Sequence, residues 1–282
     1  MGRRYLTGLL LVLMVLIGLL WFWKGPSFKK AQQEAGEADP IKIILDGKRI
    51  VTGGEDSVEV KDNAVVIRDS GTFLFTGKMT DGQIVVAADR DDEVILKFAG
   101  VELVCKDSAP VWIRRADKVT IHLKSGSENV LTDGIFHIPK EKYSLVPKGC
   151  IDSRANLKIK GSGKLTVNAN YLDGIASTDN LKIKNGIIDV HAVRYGLRGT
   201  DCVEITGGIV NLEAGKDGIR SRDYVKISLS SVSVDAVRYG LFGVRQITVN
   251  ANSKVSVKGA LSPVVSSGRI SIPYPLTDQG KE

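Results

Sequence analysis

A repeat of about 22 residues runs through the second half of this chain and decides its fold class. One apolar position of the repeat is filled in turn by Leu157, Leu181, Val203, Val225 and Ile247, at steps of 24, 22, 22 and 22 residues. Self-similarity at a fixed period of this size is typical of architectures in which each unit packs only on its neighbours. Apolar and polar residues alternate within each unit, which predicts strands rather than helices.

A unit of this length with two or three short strands is typical of one coil of a parallel β-solenoid. We therefore predict an all-β fold, a parallel β-helix of about nine or ten coils, in which equivalent strands lie about 4.8 Å apart. Glycines that recur at the same step mark the predicted turns. Further apolar columns are Ile159, Ile183, Ile205, Ile227 and Val249; Leu165, Ile188, Val210, Val232 and Val255; Val167, Val190, Leu212, Val234 and Val257; and Ile151, Ile175, Leu197, Ile219 and Leu241.

The solenoid is predicted to span residues 41–282 as a single domain. The weaker periodicity of its first half is interrupted by an insertion at 132–147, which we expect to leave one corner as a loop. The pattern weakens again from about 259, and the proline-containing end is expected to cap the last coil. Residues 25–40 are polar and are interpreted as a linker.

The amino terminus, residues 1–24, contains an apolar stretch from Leu6 to Trp23 that is about long enough to span a bilayer as a helix. Arginines precede it, and aromatic residues lie at its far edge, as in many membrane anchors. A cleaved signal peptide is the alternative, but small residues are missing just after the apolar stretch. We expect a membrane-anchored protein whose β-helix lies outside the cytoplasm.

Charge and cysteine content exclude several classes of function. The net charge is +7, of which three positive charges belong to the first 24 residues, so that the remainder carries a mild +4. Bulk charge therefore does not indicate nucleic-acid binding. Cys105, Cys150 and Cys202 are odd in number and scattered, which favours small buried residues over a disulfide framework or a metal cluster.

Cations and tyrosines recur with the repeat and form the strongest candidate binding surface. Stacked on neighbouring coils, the cations would lie about 5 Å apart and favour an anion between them. Arginine offers planar paired donors that suit carboxylates, and tyrosine rings beside it could stack on sugars. The alternative is a solvated face whose cations pair with Asp173 and Asp217. The candidate carbohydrate-binding residues are Arg194, Tyr195, Arg198, Lys216, Arg220, Arg238 and Tyr239.

Carboxylates form a second polar column, with Asp179, Asp201 and Asp223 at steps of 22 residues and Arg245 next. Stacked carboxylates can bind Ca²⁺, which prefers several charged oxygen ligands. The alternative is that each aspartate accepts backbone N–H bonds at a tight turn. Catalysis has less support. The histidines share no motif, and aspartates at ladder spacing could match a hydrolase pair by accident.

Several segments resemble the carbohydrate-binding domain family of bacterial β-helix proteins. The similarity covers about 58–258 and rests on the combination of SAPV, SENVLTDG, DGIASTDNL and KDGIRS at solenoid spacing. The resemblance implies a right-handed parallel β-helix outside the cytoplasm. It also implies calcium binding and affinity for cellulose or acidic sugars such as polygalacturonate, without established catalysis. The positions that match the family's motif, and would carry over as metal ligands, are Asp173, Asp179, Asp217 and Asp223.

The chain departs from the family pattern at several turns. Tyr195 and Tyr239 replace acidic residues before the turn glycine, Arg154 and Ala155 stand where the family has Lys-Asp or Asp-Asp, and Gly199 replaces serine. Loss of carboxylates weakens the case for calcium, and gain of arginine favours direct binding of acidic sugar.

The sequence thus predicts an extracytoplasmic, membrane-anchored protein that binds polysaccharide, of an acidic kind, rather than an enzyme. A polysaccharide lyase or hydrolase on the same scaffold, and a structural cell-envelope protein without glycan binding, are the alternatives. The oligomeric state is left open.

Overall fold

The computed structural model describes residues 39–54, 56–139, 145–274 and 276–278. The predicted membrane-spanning stretch, Leu6–Trp23, lies outside these residues, as does nearly all of the linker. Within the described ranges no helix has the length and apolar character needed to cross a membrane.

The described chain consists of 28 short strands, whose alternating apolar residues follow the period predicted from sequence. The strands before the insertion are β1 (Ile41–Gly47), β2 (Arg49–Thr52), β3 (Val58–Lys61), β4 (Ala64–Ile67), β5 (Gly71–Met79), β6 (Gln83–Ala87), β7 (Glu93–Cys105), β8 (Val111–Arg115), β9 (Lys118–Leu123) and β10 (Glu128–Asp133). Those after it are β11 (Gly149–Ser153), β12 (Asn156–Gly161), β13 (Lys164–Ala169), β14 (Asp173–Ser177), β15 (Asn180–Lys184), β16 (Ile187–Ala192), β17 (Tyr195–Gly199), β18 (Cys202–Thr206), β19 (Ile209–Ala214), β20 (Asp217–Ser221), β21 (Tyr224–Ser228), β22 (Ser231–Ala236), β23 (Tyr239–Gly243), β24 (Gln246–Val249), β25 (Lys254–Lys258), β26 (Ser262–Val265), β27 (Arg269–Ser271) and β28 (Thr277–Asp278).

These strands coil into a parallel β-solenoid of about nine turns with three faces. Face 1 is a 10-stranded sheet, β3-β4-β6-β8-β11-β14-β17-β20-β23-β26. The other, 18-stranded sheet wraps two faces. Face 2 includes β9-β12-β15-β18-β21-β24-β27, and face 3 includes β10-β13-β16-β19-β22-β25-β28. Among the described strands, only the pairs β1–β2 and β3–β4, at the amino-terminal end, are antiparallel. The predicted all-β parallel solenoid is confirmed, whereas the predicted membrane-spanning helix lies outside the described residues.

The predicted apolar columns are in register and line the interior. Leu157 pairs with Leu181, Leu181 with Val203, and so on along face 2. Every member of this column is at most 1% exposed. Each such side chain contributes roughly 1.5–3 kcal/mol by burial, so the stacked columns dominate the stability of the coil.

The glycines predicted to mark turns lie instead inside the strands of face 1, where close approach of neighbouring coils requires them. A Cβ atom on Gly218 would lie 2.2 Å from Cγ1 of Val234 and 2.8 Å from the carbonyl oxygen of Gly240. Gly196 has the same conflict with the carbonyl oxygen of Gly218. Neither glycine has a positive φ, so the crowding between coils, rather than backbone conformation, excludes larger residues here.

The insertion leaves the solenoid after β10 and returns at β11, close to the predicted position. Its first residues, Thr132 and Asp133, still belong to the strand. At the carboxyl end, β26, β27 and β28 continue all three ladders as one more coil. The segment from 259 therefore extends the solenoid, and its role as a cap stays a prediction. All three cysteines are buried, and none is in a disulfide.

Candidate functional site

The outer side of face 1 presents one continuous column of side chains, one from each coil. The strand registers align these positions directly, so that each side chain stands about 4.8 Å from the next along the solenoid. Its two basic residues are neighbours in the half of the column nearer the carboxyl end. In order it reads Val66, Val85, Trp112, Asp152, Ala176, Arg198, Arg220, Phe242 and Val265.

A buried carboxylate, Asp173 at the start of β14, anchors two of the predicted arginines on face 1. Arg194 donates from Nε and Nη2 to its two oxygens at 2.6 and 2.9 Å. Arg198 donates from Nε to the same carboxylate at 2.8 Å. The Asp173 side chain is fully buried, whereas the two arginines are 28% and 23% exposed. The bonds to Asp173 raise the pKa of Arg194 and keep it charged.

The arrangement recurs two coils further on around Asp217, which is also fully buried. Arg238 donates from Nε and Nη2 to its two oxygens at 2.7 and 2.6 Å. The second arginine differs, because Arg220 from the same coil donates from Nη1 at 2.9 Å. The alternative predicted from sequence, that the cations pair with the two aspartates, therefore holds for four of the five candidate cations.

Aromatic rings contact the arginines Arg194 and Arg220 on face 1. The guanidinium of Arg194 lies 4.8 Å from the ring centre of Tyr195, and that of Arg220 lies 5.3 Å from the same ring. Arg220 also lies 4.1 Å from the ring centre of Phe242. Tyr239 stacks on Phe242 with ring centres 5.7 Å apart. Phe242 was not among the predicted residues, although it stands one 22-residue step beyond Arg220 and could have been found by extending that column.

We call the seven predicted residues together with Phe242 the arginine–tyrosine strip. It carries five cations against the two buried carboxylates, a net charge of +3. Lys216 forms no ion pair within the described ranges, and its Nζ lies 5.7 Å from the Tyr195 ring centre. Arg198 uses only Nε toward protein acceptors among the described residues, which leaves both terminal nitrogens able to donate outward. Arg220 is similar, since only its Nη1 donates to an acceptor within the part of the chain that the structure describes.

Three of the five predicted calcium ligands pair with arginines in this arrangement. Both oxygens of Asp173 and of Asp217 already accept bonds from guanidinium groups. Asp223 is paired with Arg245, which lowers the pKa of Asp223. The described part of the chain holds no cluster of three or more His, Cys, Asp or Glu suited to a metal. Calcium binding stays a prediction.

The acidic column itself is formed as predicted, with Asp179 next to Asp201. Burial, and then the neighbouring charge of Asp201, raise the pKa of Asp179. Serine side chains, rather than the aspartates, cap these turns. Ser177 Oγ accepts the Asp179 N–H bond and Ser221 Oγ the Asp223 N–H bond, both at 3.0 Å.

A buried histidine, which has no motif in the sequence, ties the insertion to the solenoid. His137 Nε2 lies 3.1 Å from Asp133 Oδ2, and its Nδ1 lies 2.8 Å from the carbonyl oxygen of Pro147. Tyr171 stacks on the imidazole at 4.4 Å. Beside the insertion, a groove of about 390 Å³ on face 1 includes Trp112 among its lining residues.

A family model described as carbohydrate-binding domain-containing protein matches residues 61–272. This chain belongs to that family. A curated relative of the same description, from Acetivibrio thermocellus, is 39% identical over 151 residues, which are 54% of this chain and 53% of that protein. The chain thus spans about half the length of the curated relative it matches. The resemblance noted from sequence is confirmed.

A solved structure shares the architecture of this family member. It is described as the polysaccharide lyase-like protein from C. thermocellum, in a gadolinium derivative, and has a TM-score of 0.80 and 34% identity. The similarity covers 86% of this chain and all of that one. The family match includes every residue of the arginine–tyrosine strip.

Proposed function

We propose that this protein binds an acidic polysaccharide through the arginine–tyrosine strip on face 1. The observation that carries the proposal is the pair Arg198 and Arg220, which occupy the same outward position on adjacent coils. Each has terminal guanidinium nitrogens without an acceptor among the described residues. Planar paired donors of this kind suit carboxylates, which can accept two parallel bonds.

The other members of the strip support this pair. Arg194 and Arg238 direct two bonds each into a buried aspartate, so we assign them to holding the strip together. The rings of Tyr195 and Phe242 lie against Arg220 and reduce the side-chain freedom that it would lose on binding. The net charge of +3 attracts an anionic polymer, and the family description supports a carbohydrate as that polymer.

The test is calorimetric titration of the purified protein with polygalacturonate. The variant Arg198→Gln/Arg220→Gln should bind at least about tenfold more weakly, because two charge-assisted contacts are removed. The matched control is Arg90→Gln/Arg269→Gln, which removes the same charge from exposed positions outside the strip and should bind like the wild type. Equal weakening in both variants would show that only bulk charge matters.

The amino-terminal stretch Leu6–Trp23 would hold the solenoid at a membrane, with face 1 outside the cytoplasm. Its length and flanking residues support this part of the proposal. Fractionation of cells followed by protease treatment of intact cells tests it. Recovery of the protein in the soluble cytoplasmic fraction would contradict it.

A second candidate function is a polysaccharide lyase, favoured by the description of the solved relative as polysaccharide lyase-like. Elimination would need a base beside the bound acidic sugar. The candidate base is Lys216, which forms no ion pair with the residues that the structure describes. Incubation with polygalacturonate should then yield new unsaturated ends, which Lys216→Gln abolishes. Binding without such products would favour the first proposal.

A further inference from the structure

A second charged surface lies on the outer side of face 2, away from the arginine–tyrosine strip. Lys158 pairs in register with Lys182, and Lys160 with Lys184, so that four lysines form two adjacent rows. Lys118 lies beside them, at the start of the preceding strand of the face. We call these five residues the lysine cluster.

Positive charge in the cluster is only partly compensated. Lys118 pairs with Glu93, and Lys182 lies 3.3 Å from Glu204. Lys158, Lys160 and Lys184 form no ion pair within the described residues. Burial lowers the pKa of Lys158, and the charges of the other four cluster lysines lower it further. The five lysines repel one another, and a bound anion would reduce this repulsion.

The cluster surrounds a recess of about 310 Å³. Four of the five lysines line it, together with the amide side chains of Asn156 and Asn180. Asn180 Nδ2 donates to Asn156 Oδ1 at 2.7 Å, and Cys202 Sγ donates to Asn180 Oδ1 at 2.8 Å, so the amides are fixed in place. Among the described residues lining it there is no carboxylate and no aromatic ring.

We propose that the lysine cluster binds phosphoryl groups of a phosphate-bearing polymer or surface, at a site separate from the carbohydrate strip. Lysine is a compact point charge with rotatable donors, which suits a tetrahedral oxyanion approached from several sides. The strip on face 1 differs in kind, with planar arginines and stacked rings. The two faces would therefore select two different anions, carboxylate on face 1 and phosphate on face 2.

The experiment titrates the protein with inorganic polyphosphate and, in a second arm, with vesicles that contain phosphatidylglycerol. The variant Lys158→Gln/Lys160→Gln/Lys184→Gln should lose about tenfold or more of its polyphosphate affinity, because three charge contacts of modest strength are removed together. The control Lys42→Gln/Lys254→Gln/Lys258→Gln loses the same charge at exposed positions elsewhere and should stay within about twofold of the wild type.

Comparison of the two phosphate probes distinguishes a polymer from lipid headgroups, and comparison of the variants distinguishes the lysine cluster from the arginine–tyrosine strip. Binding of polyphosphate without vesicle binding indicates a soluble or wall-linked polymer, whereas cluster-dependent vesicle binding indicates lipid headgroups. Polygalacturonate affinity should be unchanged in the cluster variant, and polyphosphate affinity unchanged in Arg198→Gln/Arg220→Gln. Equal loss in the cluster and control variants, or no binding to either phosphate probe, would overturn the proposal.

Discussion

Replacing Arg194 with Ala tests whether the buried aspartates hold the strip in place. The change deletes two charge-assisted bonds, of 2.6 and 2.9 Å, to a carboxylate that is fully buried. Each such bond contributes about 1.5–3 kcal/mol. Arg194 is partly exposed and Asp173 keeps its bond from Arg198, so the net loss should be smaller than the sum. We expect the free energy of unfolding to fall by about 2–3 kcal/mol, because the Asp173 carboxylate stays buried with one partner.

The assay is urea unfolding of the purified protein, with thermal unfolding as a second readout. A loss of this size should lower the melting temperature by about 4–12 °C in a domain of this length. Arg90→Ala is the control. Arg90 is exposed and forms no ion pair with the residues that the structure describes, so its replacement should change stability by less than about 0.5 kcal/mol. If Arg194→Ala unfolds like the wild type, the bonds between Arg194 and Asp173 do not hold the strip in place.

Three further substitutions test which side of each strand is buried, how closely the coils approach each other at Gly218, and whether Asp223 pairs with Arg245. Val210→Asp should prevent folding, because it places an unpaired charge in the core at a cost above about 4 kcal/mol. The control Ile209→Asp, on the exposed side of the same strand, should fold. A soluble Val210→Asp protein that unfolds cooperatively would contradict the register. Gly218→Ala should lower the melting temperature sharply, since its Cβ would meet a neighbouring coil, and an unchanged melting curve would mean that the coils separate easily. The pKa of Asp223 is lowered by Arg245, so this pair stabilises the fold above the ordinary aspartate pKa and the contribution fades as the pH falls through the lowered value. Arg245→Gln should therefore reduce the acid dependence of stability between those two pKa values, and identical pH profiles would refute the pairing.

The repeat predicts the register of the second half directly, because residues one period apart become neighbours on adjacent coils. Leu157 and Leu181 are an example, since the 24-residue step between them already identifies them as partners. The same arithmetic predicts the row of glycines, although they lie in the strands of face 1 and not at turns. It could not predict that crowding, rather than positive φ, is what requires glycine at Gly218, because that depends on the distance between coils.

Ion-pair partners at the strip were harder to predict than its location. The second arginine bound to Asp173 is Arg198, 25 residues later in the chain. The second arginine bound to Asp217 is Arg220, only 3 residues later. Period and spacing are compatible with both choices, and only side-chain geometry decides between them. For the same reason, the sequence could not distinguish Arg194, which bonds to Asp173 through two nitrogens, from Arg198, which bonds to it only through Nε among the described residues.

The central claim is that guanidinium groups of Arg198 and Arg220 recognise carboxylates on a polysaccharide. Its most direct test compares the affinity of the wild-type protein for polygalacturonate with that for the fully methyl-esterified polymer, which has the same backbone without the charges. The account predicts clear binding of the acid, weakened by salt, and at least about tenfold weaker binding of the ester. Equal affinity for the two polymers would contradict it.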